Sequence, residues 1–368
     1  SRLGGGKDHA AGRYLKGRGS PVLRFIFRPE DDILLEPVYE DGDQICVKTY
    51  YPIIPIQSVN RAMGVGWGWS SDTPNYHPFD VMDTIKAFIA HIKDGKNKRS
   101  FKTTLALPWY RGYKGIVFRN KKGVIVSRGY FRMVGHMCYV DDLPINVSGS
   151  KFEKLLSEYQ EAGKIEGFKN LTIDVNRPQY VLYGVKVPFE QHKGWLMECA
   201  ISDTQCTYLD EKLLPITHLM GINDVLIKWC VKRYGKYVER KELYIQKLKD
   251  RAKILELKVR FVDDVIAEPP RFDIRCRSEE YIDSYLQNNG YPNEFLSIPY
   301  RSFSQKLVEK IKKELADLYA EIDWYERTHP GDMWIRDLDQ LKDKLEEMYP
   351  GQWKKHHGYG YKTMDRPE

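Results

Sequence analysis

Apolar residues recur along this chain with several different periods, and each period names an element. Phe79, Val81, Met82, Ile85, Phe88, Ile89 and Ile92 stand at helical spacing, which predicts an amphipathic helix over residues 79 to 92. A lysine-rich loop follows and marks a boundary. Between Tyr50 and Ser71, short apolar runs are broken by Pro52, Pro55 and several glycines, so strands and tight turns are expected there and not a long helix. From Phe101 to about Pro188, β-branched and aromatic runs at Gly115 to Val126, Leu171 to Val175 and Tyr180 to Val187 predict strands. One amphipathic helix interrupts them near 151 to 163. The class read from this alternation is α+β.

The strongest periodicity comes last. Val238, Ile245, Leu248, Ala252, Leu255, Val259, Val262 and Ile266 follow the three-and-four spacing of a heptad, broken at one seam position by Lys241. A second run holds Val308, Ile311, Leu315, Leu318, Ile322 and Tyr325, and Pro269, Pro270 and Pro292 lie between the two. Two long helices in an antiparallel coiled coil are predicted, the first over about 234 to 266 and roughly 50 Å long at 1.5 Å per residue. Such an arm projects something, although an ordinary helical bundle has the same periodicity. The connection from 270 to 302 carries Phe272, Ile274, Tyr281, Ile282, Tyr285, Leu286, Tyr291, Phe295, Leu296 and Ile298. It is too short for its own core, so burial by a symmetry mate is expected, the alternative being that it caps the coil.

Composition narrows the class. A chain of 368 residues with 42% apolar and 30% charged residues is a folded protein of two or three domains. No apolar run approaches a membrane span and no signal peptide opens the chain, which predicts an intracellular protein. The opening Ser-Arg-Leu has no initiator Met and reads as a fragment or processed piece. Cysteines 46, 138, 199, 206, 230 and 276 show no zinc-like pairing and read as reduced thiols. Net charge is +7, but residues 1 to 28 carry +6 and residues 93 to 132 carry +11, leaving −10 elsewhere. Two basic segments on an acidic protein point to a polyanionic partner, against the plainer reading of solvated basic loops.

Several motifs give that partner a chemistry. Gly4-Gly5-Gly6-Lys7-Asp8 runs through small residues to Arg13-Tyr14. Tyr51-Pro52-Ile53-Ile54-Pro55-Ile56 leads into Asn60-Arg61-Ala62-Met63-Gly64-Val65-Gly66-Trp67-Gly68-Trp69-Ser70 and then Pro74-Asn75-Tyr76. Further on come Pro108-Trp109-Tyr110-Arg111-Gly112-Tyr113-Lys114-Gly115, Asp142-Leu143-Pro144, Tyr237-Val238-Glu239-Arg240-Lys241 and Met333-Trp334-Ile335-Arg336-Asp337-Leu338. In this order, from Ser1 to about Tyr349, they resemble the cleavage and rejoining region of type IIA DNA topoisomerases, in a viral or phage member. Arg61 stands where the family pattern has Gly, Trp67 where it has Thr, and Leu15-Lys16 where it has an Ile-Phe type pair. The glycines from Gly64 to Gly68 lack the Gly-Lys-Ser/Thr of a nucleotide loop and read as backbone turning.

The resemblance implies three domains: the C-terminal part of a winged-helix cleavage domain over 1–95, an α/β tower over 96–222, and a coiled-coil arm with a dimerisation gate over 223–368. It implies a double-strand break made by a homodimer, with Tyr14 as nucleophile forming a 5′-phosphotyrosyl link and Arg13 orienting the phosphate. A phenol has an ordinary pKa near 10, so it needs such a neighbour. Lys7, Arg18, Lys98, Arg99, Arg111 and Lys114 are expected on DNA phosphates. The resemblance also implies a branched apolar residue near the Arg-Gly-x-x-Gly turn inserting into the duplex: Ile116 or Val117, with Val117 better aligned and an ordinary core role as the alternative. No Asp-x-Asp-x-Asp cluster occurs, so no metal ligand is assigned here; Mg2+ and ATP are expected on a partner subunit or domain, with the missing N-terminal half of the cleavage domain also supplied from outside. The protein would act with DNA, in host cytoplasm or nucleoid for a phage and in a nucleus for a eukaryotic virus. The competing readings are a fragment that only binds DNA and dimerises, and a tyrosine recombinase or nicking enzyme, whose spaced Arg and His residues are not found in order.

Overall fold

A computed structural model of the chain describes residues 3–4, 10–102, 107–186, 194–209, 215–216, 221–273, 277–299 and 303–353. In chain order it forms α1 (Leu23–Ile26), β1 (Pro37–Glu40), β2 (Asp43–Val47), α2 (Ile56–Val59), β3 (Ala62–Gly66), β4 (Trp69–Thr73) and α3 (Pro78–Lys93). Then come β5 (Ile116–Arg119), β6 (Ile125–Arg128), β7 (Tyr130–Val134), β8 (Met137–Asp142), α4 (Gly149–Glu161), β9 (Gly167–Asn170), β10 (Tyr180–Tyr183), β11 (Glu198–Ala200), β12 (Tyr208–Leu209) and β13 (Pro215–Ile216). Four helices close the chain: α5 (Ile222–Ile266), α6 (Glu279–Asn289), α7 (Gln305–Arg327) and α8 (Pro330–Met348). This mixture of helices and small antiparallel sheets is the α+β fold expected, and it divides into two compact units.

The first unit holds residues 1–27, 52–233 and 337–368. Its α3 begins where His77 Nδ1 accepts the Phe79 N–H at 3.1 Å and Pro78 needs no partner for a missing N–H, so the start is capped twice over. Val81, Met82, Ile85, Phe88 and Ile89 are buried, as their spacing requires. A four-stranded sheet in the order β7-β8-β10-β9 packs Cys138, Val140 and Leu182 against Phe152 and Leu156 of α4. A three-stranded sheet, β11-β6-β5, closes over Leu107, Tyr113, Val117, Ile125, Ile145 and Ile201. The glycines of the Arg111-Gly112-Tyr113-Lys114-Gly115 turn have separate causes. Gly112 takes a φ of 76°, while a Cβ at Gly115 would run into the Arg128 carbonyl oxygen and the Tyr113 ring. The strand expected over 171–175 does not form. Asn170 Oδ1 accepts the Thr172 N–H at 2.8 Å and Thr172 Oγ1 accepts the Gln179 N–H at 2.9 Å, so local side chains close a loop after β9 ends at Asn170.

The second unit holds residues 28–51 and 234–336. Within it Leu248, Ala252, Leu255 and Val262 of α5 bury against Val308, Ile311, Leu318 and Ile322 of α7, the predicted antiparallel seam. The helix itself starts at Ile222 instead of near 234. Towards its base the seam turns aromatic: Tyr237 stacks on Trp334 with centroids 5.2 Å apart, and Tyr244 meets Tyr325 at 4.9 Å. Lys241, the polar break in the heptad, sends its Nζ to the Glu326 and Thr328 carbonyl oxygens at 3.0 Å each, capping the end of α7. A buried pair, Arg240 with Asp31 at 3.3 Å, fastens residues 28–51 to α5.

At the far end, the apolar connection largely satisfies itself. Phe261, Phe272, Leu286, Tyr291 and Phe295 form a core of their own, and Asp264 accepts the hydroxyls of Tyr285 at 3.2 Å and Tyr291 at 2.6 Å. Leu286, on α6, is therefore interior, and the expectation that it faces a symmetry mate is corrected: Phe261, Phe272, Tyr291 and Phe295 of the same chain supply its cover. Tyr281 and Leu296 stay exposed, and Ile274 lies outside the described residues.

Candidate nucleic-acid interface

Tyr14 ends a single 3-10 turn, Gly12–Tyr14, closed by its N–H on the Ala11 carbonyl at 3.0 Å. Residues 10 to 20 are all exposed, and Tyr14 itself is 71% exposed, so its phenol meets solvent and any ligand directly. The Arg13 guanidinium lies over its ring, 4.9 Å from the centroid. An anion brought to the phenol oxygen therefore meets a fixed positive charge. Other tyrosines of the unit are in the opposite situation. Burial pushes the Tyr76 phenol far up, with the Asp203 charge adding to it, and burial beside Glu153 does the same at Tyr180. Those side chains are held neutral and are poor nucleophiles. Arg18 is exposed on the chain that follows, while Lys7 lies outside the described residues.

The basic segment sorts by what its cations already touch. Lys96 pairs with Asp94 at 3.1 Å, Arg119 with Asp203 at 3.3 Å, Arg128 with Glu198 at 2.5 Å and Arg132 with Asp141 at 3.4 Å. Arg99, Lys114, Lys121 and Lys122 are exposed, with Lys98 half-buried beside Arg99 on the turn Lys98–Ser100. Lys114 is held by its backbone, whose N–H donates to Asp142 Oδ2 at 3.1 Å, leaving the side chain outward. Arg111 stacks on the Tyr349 ring at 4.7 Å, so its role is partly structural. Summed over each unit, the first carries +12 and the second −5, which together make the chain's +7. The excess positive charge belongs to the unit that holds Tyr14.

The two candidates for the inserting residue differ in exposure. Val117 of β5 is 2% exposed and packs in the core with Tyr113 and Ile125. Ile116, its neighbour on the other face of the strand, is only half-buried. The exposed apolar group lies elsewhere, on the β3–β4 hairpin. Val65 is 89% exposed, Trp67 fully so, and Met63 and Trp69 are largely exposed. Arg61 forks onto Asp72 with two 2.9 Å bonds and pins the hairpin's base. Sequence reasoning read this element as a family motif with turning glycines and did not single out its exposed apolar side chains. The signal was present in the alternation: Gly64, Gly66 and Gly68 strip the neighbours from Val65, Trp67 and Trp69.

No group of three or more His, Cys, Asp or Glu side chains among the described residues is placed to hold a metal ion. None of the described helices is long and apolar enough to cross a membrane.

An exposed tyrosine beside Arg13 thus lies on a strongly basic α+β unit of a chain that also holds a long antiparallel helix pair. The profile of the DNA gyrase/topoisomerase IV A-subunit family matches residues 1–339, and the chain belongs to that family. It is 29% identical over 357 residues to DNA topoisomerase 2 of Invertebrate iridescent virus 6, covering 93% of this chain and 30% of that protein. To the mitochondrial DNA topoisomerase 2 of Dictyostelium discoideum it is 25% identical, covering 94% of this chain and 28% of the relative. The chain thus spans less than a third of these relatives. Its fold is that of the Plasmodium falciparum topoisomerase II DNA-binding, cleavage and re-ligation domain, with a TM-score of 0.77 at 22% identity over 94% of this chain and 51% of that one.

Proposed function

We propose that this chain breaks and rejoins duplex DNA as the cleavage part of a type II topoisomerase, with Tyr14 as the nucleophile. The phenol oxygen attacks the scissile phosphorus, the bond to the 3′ oxygen breaks, and that oxygen leaves as a hydroxyl carrying the phenol's proton. The 5′-phosphotyrosyl ester conserves the bond energy, so the 3′ hydroxyl reverses the step without a nucleotide. Arg13 stabilises the charge gathered on the phosphate. The observation that carries this reading is the Arg13–Tyr14 pair, exposed on the +12 unit of a chain that belongs to the family.

Around that pair, Arg18, Lys98, Arg99, Lys114 and, with Lys7, the start of the chain take DNA phosphates. The hairpin residue Val65, in place of Val117 or Ile116, supplies the apolar wedge. The three-part division at 95 and 222 into winged-helix, tower and arm belongs to the same proposal. So does a homodimer whose gate uses Tyr281 and Leu296, the apolar surface left at the tip. Mg2+ and ATP are cofactors of type II topoisomerases in general; with no acidic cluster among the described residues, their assignment to a partner domain or subunit is part of this reading, and no step above passes through them.

The test is the Tyr14→Phe variant assembled with the remaining parts of the enzyme. Denaturant-trapped protein–DNA adducts are expected to vanish while duplex affinity stays nearly unchanged, and adducts that persist would remove Tyr14 from the reaction.

A further inference from the structure

The β3–β4 hairpin ends in a two-residue turn, Trp67-Gly68, closed by the pairing of Gly66 with Trp69. Gly68 takes the positive φ, 73°, that such a turn needs. Gly64 and Gly66 have no such reason: their φ is negative, a Cβ at Gly64 would meet nothing within 4 Å, and one at Gly66 would meet the Trp69 carbonyl oxygen at 3.9 Å. Glycine inside a strand weakens it, and one kept without an internal cause marks a place where something outside comes close to the backbone. Residues 62 to 71 carry no charge at all, and Asp72 is neutralised by Arg61. Nothing on this finger repels a phosphate backbone, and the unit that carries it has a net charge of +12.

We propose that Trp67 is a stacking residue for duplex DNA, its indole lying on a nucleobase at the step that Val65 opens and so biasing which sequences the protein bends and breaks. The inference rests on the DNA-breaking reading given above. An indole is the largest flat face among the side chains and is seldom left wholly in water. Bases offer a matching π-face whatever their identity, but purines offer more of it, so a preference at that step follows. The Thr of the family pattern has no ring to stack, so this contact is a property of this chain.

The experiment uses the full chain and a short duplex carrying 2-aminopurine at successive positions. Substitution of a fully exposed side chain leaves folding intact, so Trp67→Thr and Trp67→Phe are compared directly with wild type. Trp67→Thr is expected to lower affinity about 10-fold with an unchanged salt slope, and to raise 2-aminopurine emission at the stacked position as the quenching indole is removed. Trp67→Phe should retain most of both signals, and Gly64→Ala should weaken binding without lowering the melting temperature. Wild-type binding with equal affinity and equal emission in Trp67→Thr overturns the stacking role, as it would if the tip served a protein surface instead. Absence of duplex binding by the wild type overturns the DNA-breaking reading itself, and the two failures are thereby distinct.

Discussion

Val65 and Val117 carry the same side chain into opposite surroundings, and the surroundings decide what each can do. Val117 sits opposite Ser127 of β6 and beside Tyr113 and Ile125, all interior. Removing its two methyls leaves a void, so Val117→Ala is expected to lower stability by about 2 kcal/mol while DNA bending by the folded protein is unchanged. Val65→Ala touches nothing within the chain and should do the reverse: an unchanged melting temperature, with less bending of an end-labelled duplex read by energy transfer. A Val117→Ala protein that melts like wild type yet bends DNA less would return the wedge to β5. The Ile116-Val117 dipeptide was legible as strand because both residues are apolar and β-branched. Which of them faces inward was not, since a period of two leaves the phase open and only pairing with β6 sets it. That Arg13 and Tyr14 lie side by side was easier to read, because they are adjacent in sequence and their turn needs no distant contact.

At the scale of elements, the coiled coil was legible where like packs on like. From Leu248 onwards the seam is aliphatic on both helices and a heptad describes it. Its base was hidden because the packing there is between unlike groups distant in sequence: Asp31 and Arg240 are 209 residues apart, and Lys241 serves carbonyl oxygens and not the seam. The tip was misjudged for a related reason, since a carboxylate, Asp264, organises it. Burial first, then the hydrogen bond to Asp264 and that group's charge, push the Tyr291 phenol up to about 12, and Tyr285 rises for the same causes. A phenol raised in the folded state favours folding while it is neutral. The contribution is whole below the unfolded value near 10 and is lost as pH rises through about 12. Amide exchange over residues 277–299 should therefore accelerate between those values while the seam stays protected, and Tyr291→Phe should flatten the transition. Exchange that is indifferent to pH in this window, once corrected for intrinsic rates, would mean that Asp264 does not hold the tip.

The whole molecule is divided electrically as well as structurally. The modest +7 conceals a unit of +12 and one of −5, and the chain order hides the division because residues 28–51 belong with the arm and residues 337–368 with the first unit. Within the basic segment the charge is divided again, because Arg119, Arg128 and Arg132 spend their guanidinium groups on Asp203, Glu198 and Asp141. Counter-ion release depends on cations that reach phosphate, not on formal charge, so these two sets make different contributions to the same measurement. Neutralising Arg99, Lys114, Lys121 and Lys122 one at a time should reduce the slope of log affinity against log salt by about 0.9 for each residue that contacts a phosphate. Arg128→Gln should leave the slope where it is and lower stability instead, because Glu198 loses a partner at a half-buried site. Slopes measured from filter binding or anisotropy across a salt series, set beside melting curves, separate the two sets. Equal slope losses for Lys121→Ala and Arg128→Gln would show that the internal ion pairs open on DNA, and would spread the interface over the whole basic segment instead of its exposed lysines and Arg99.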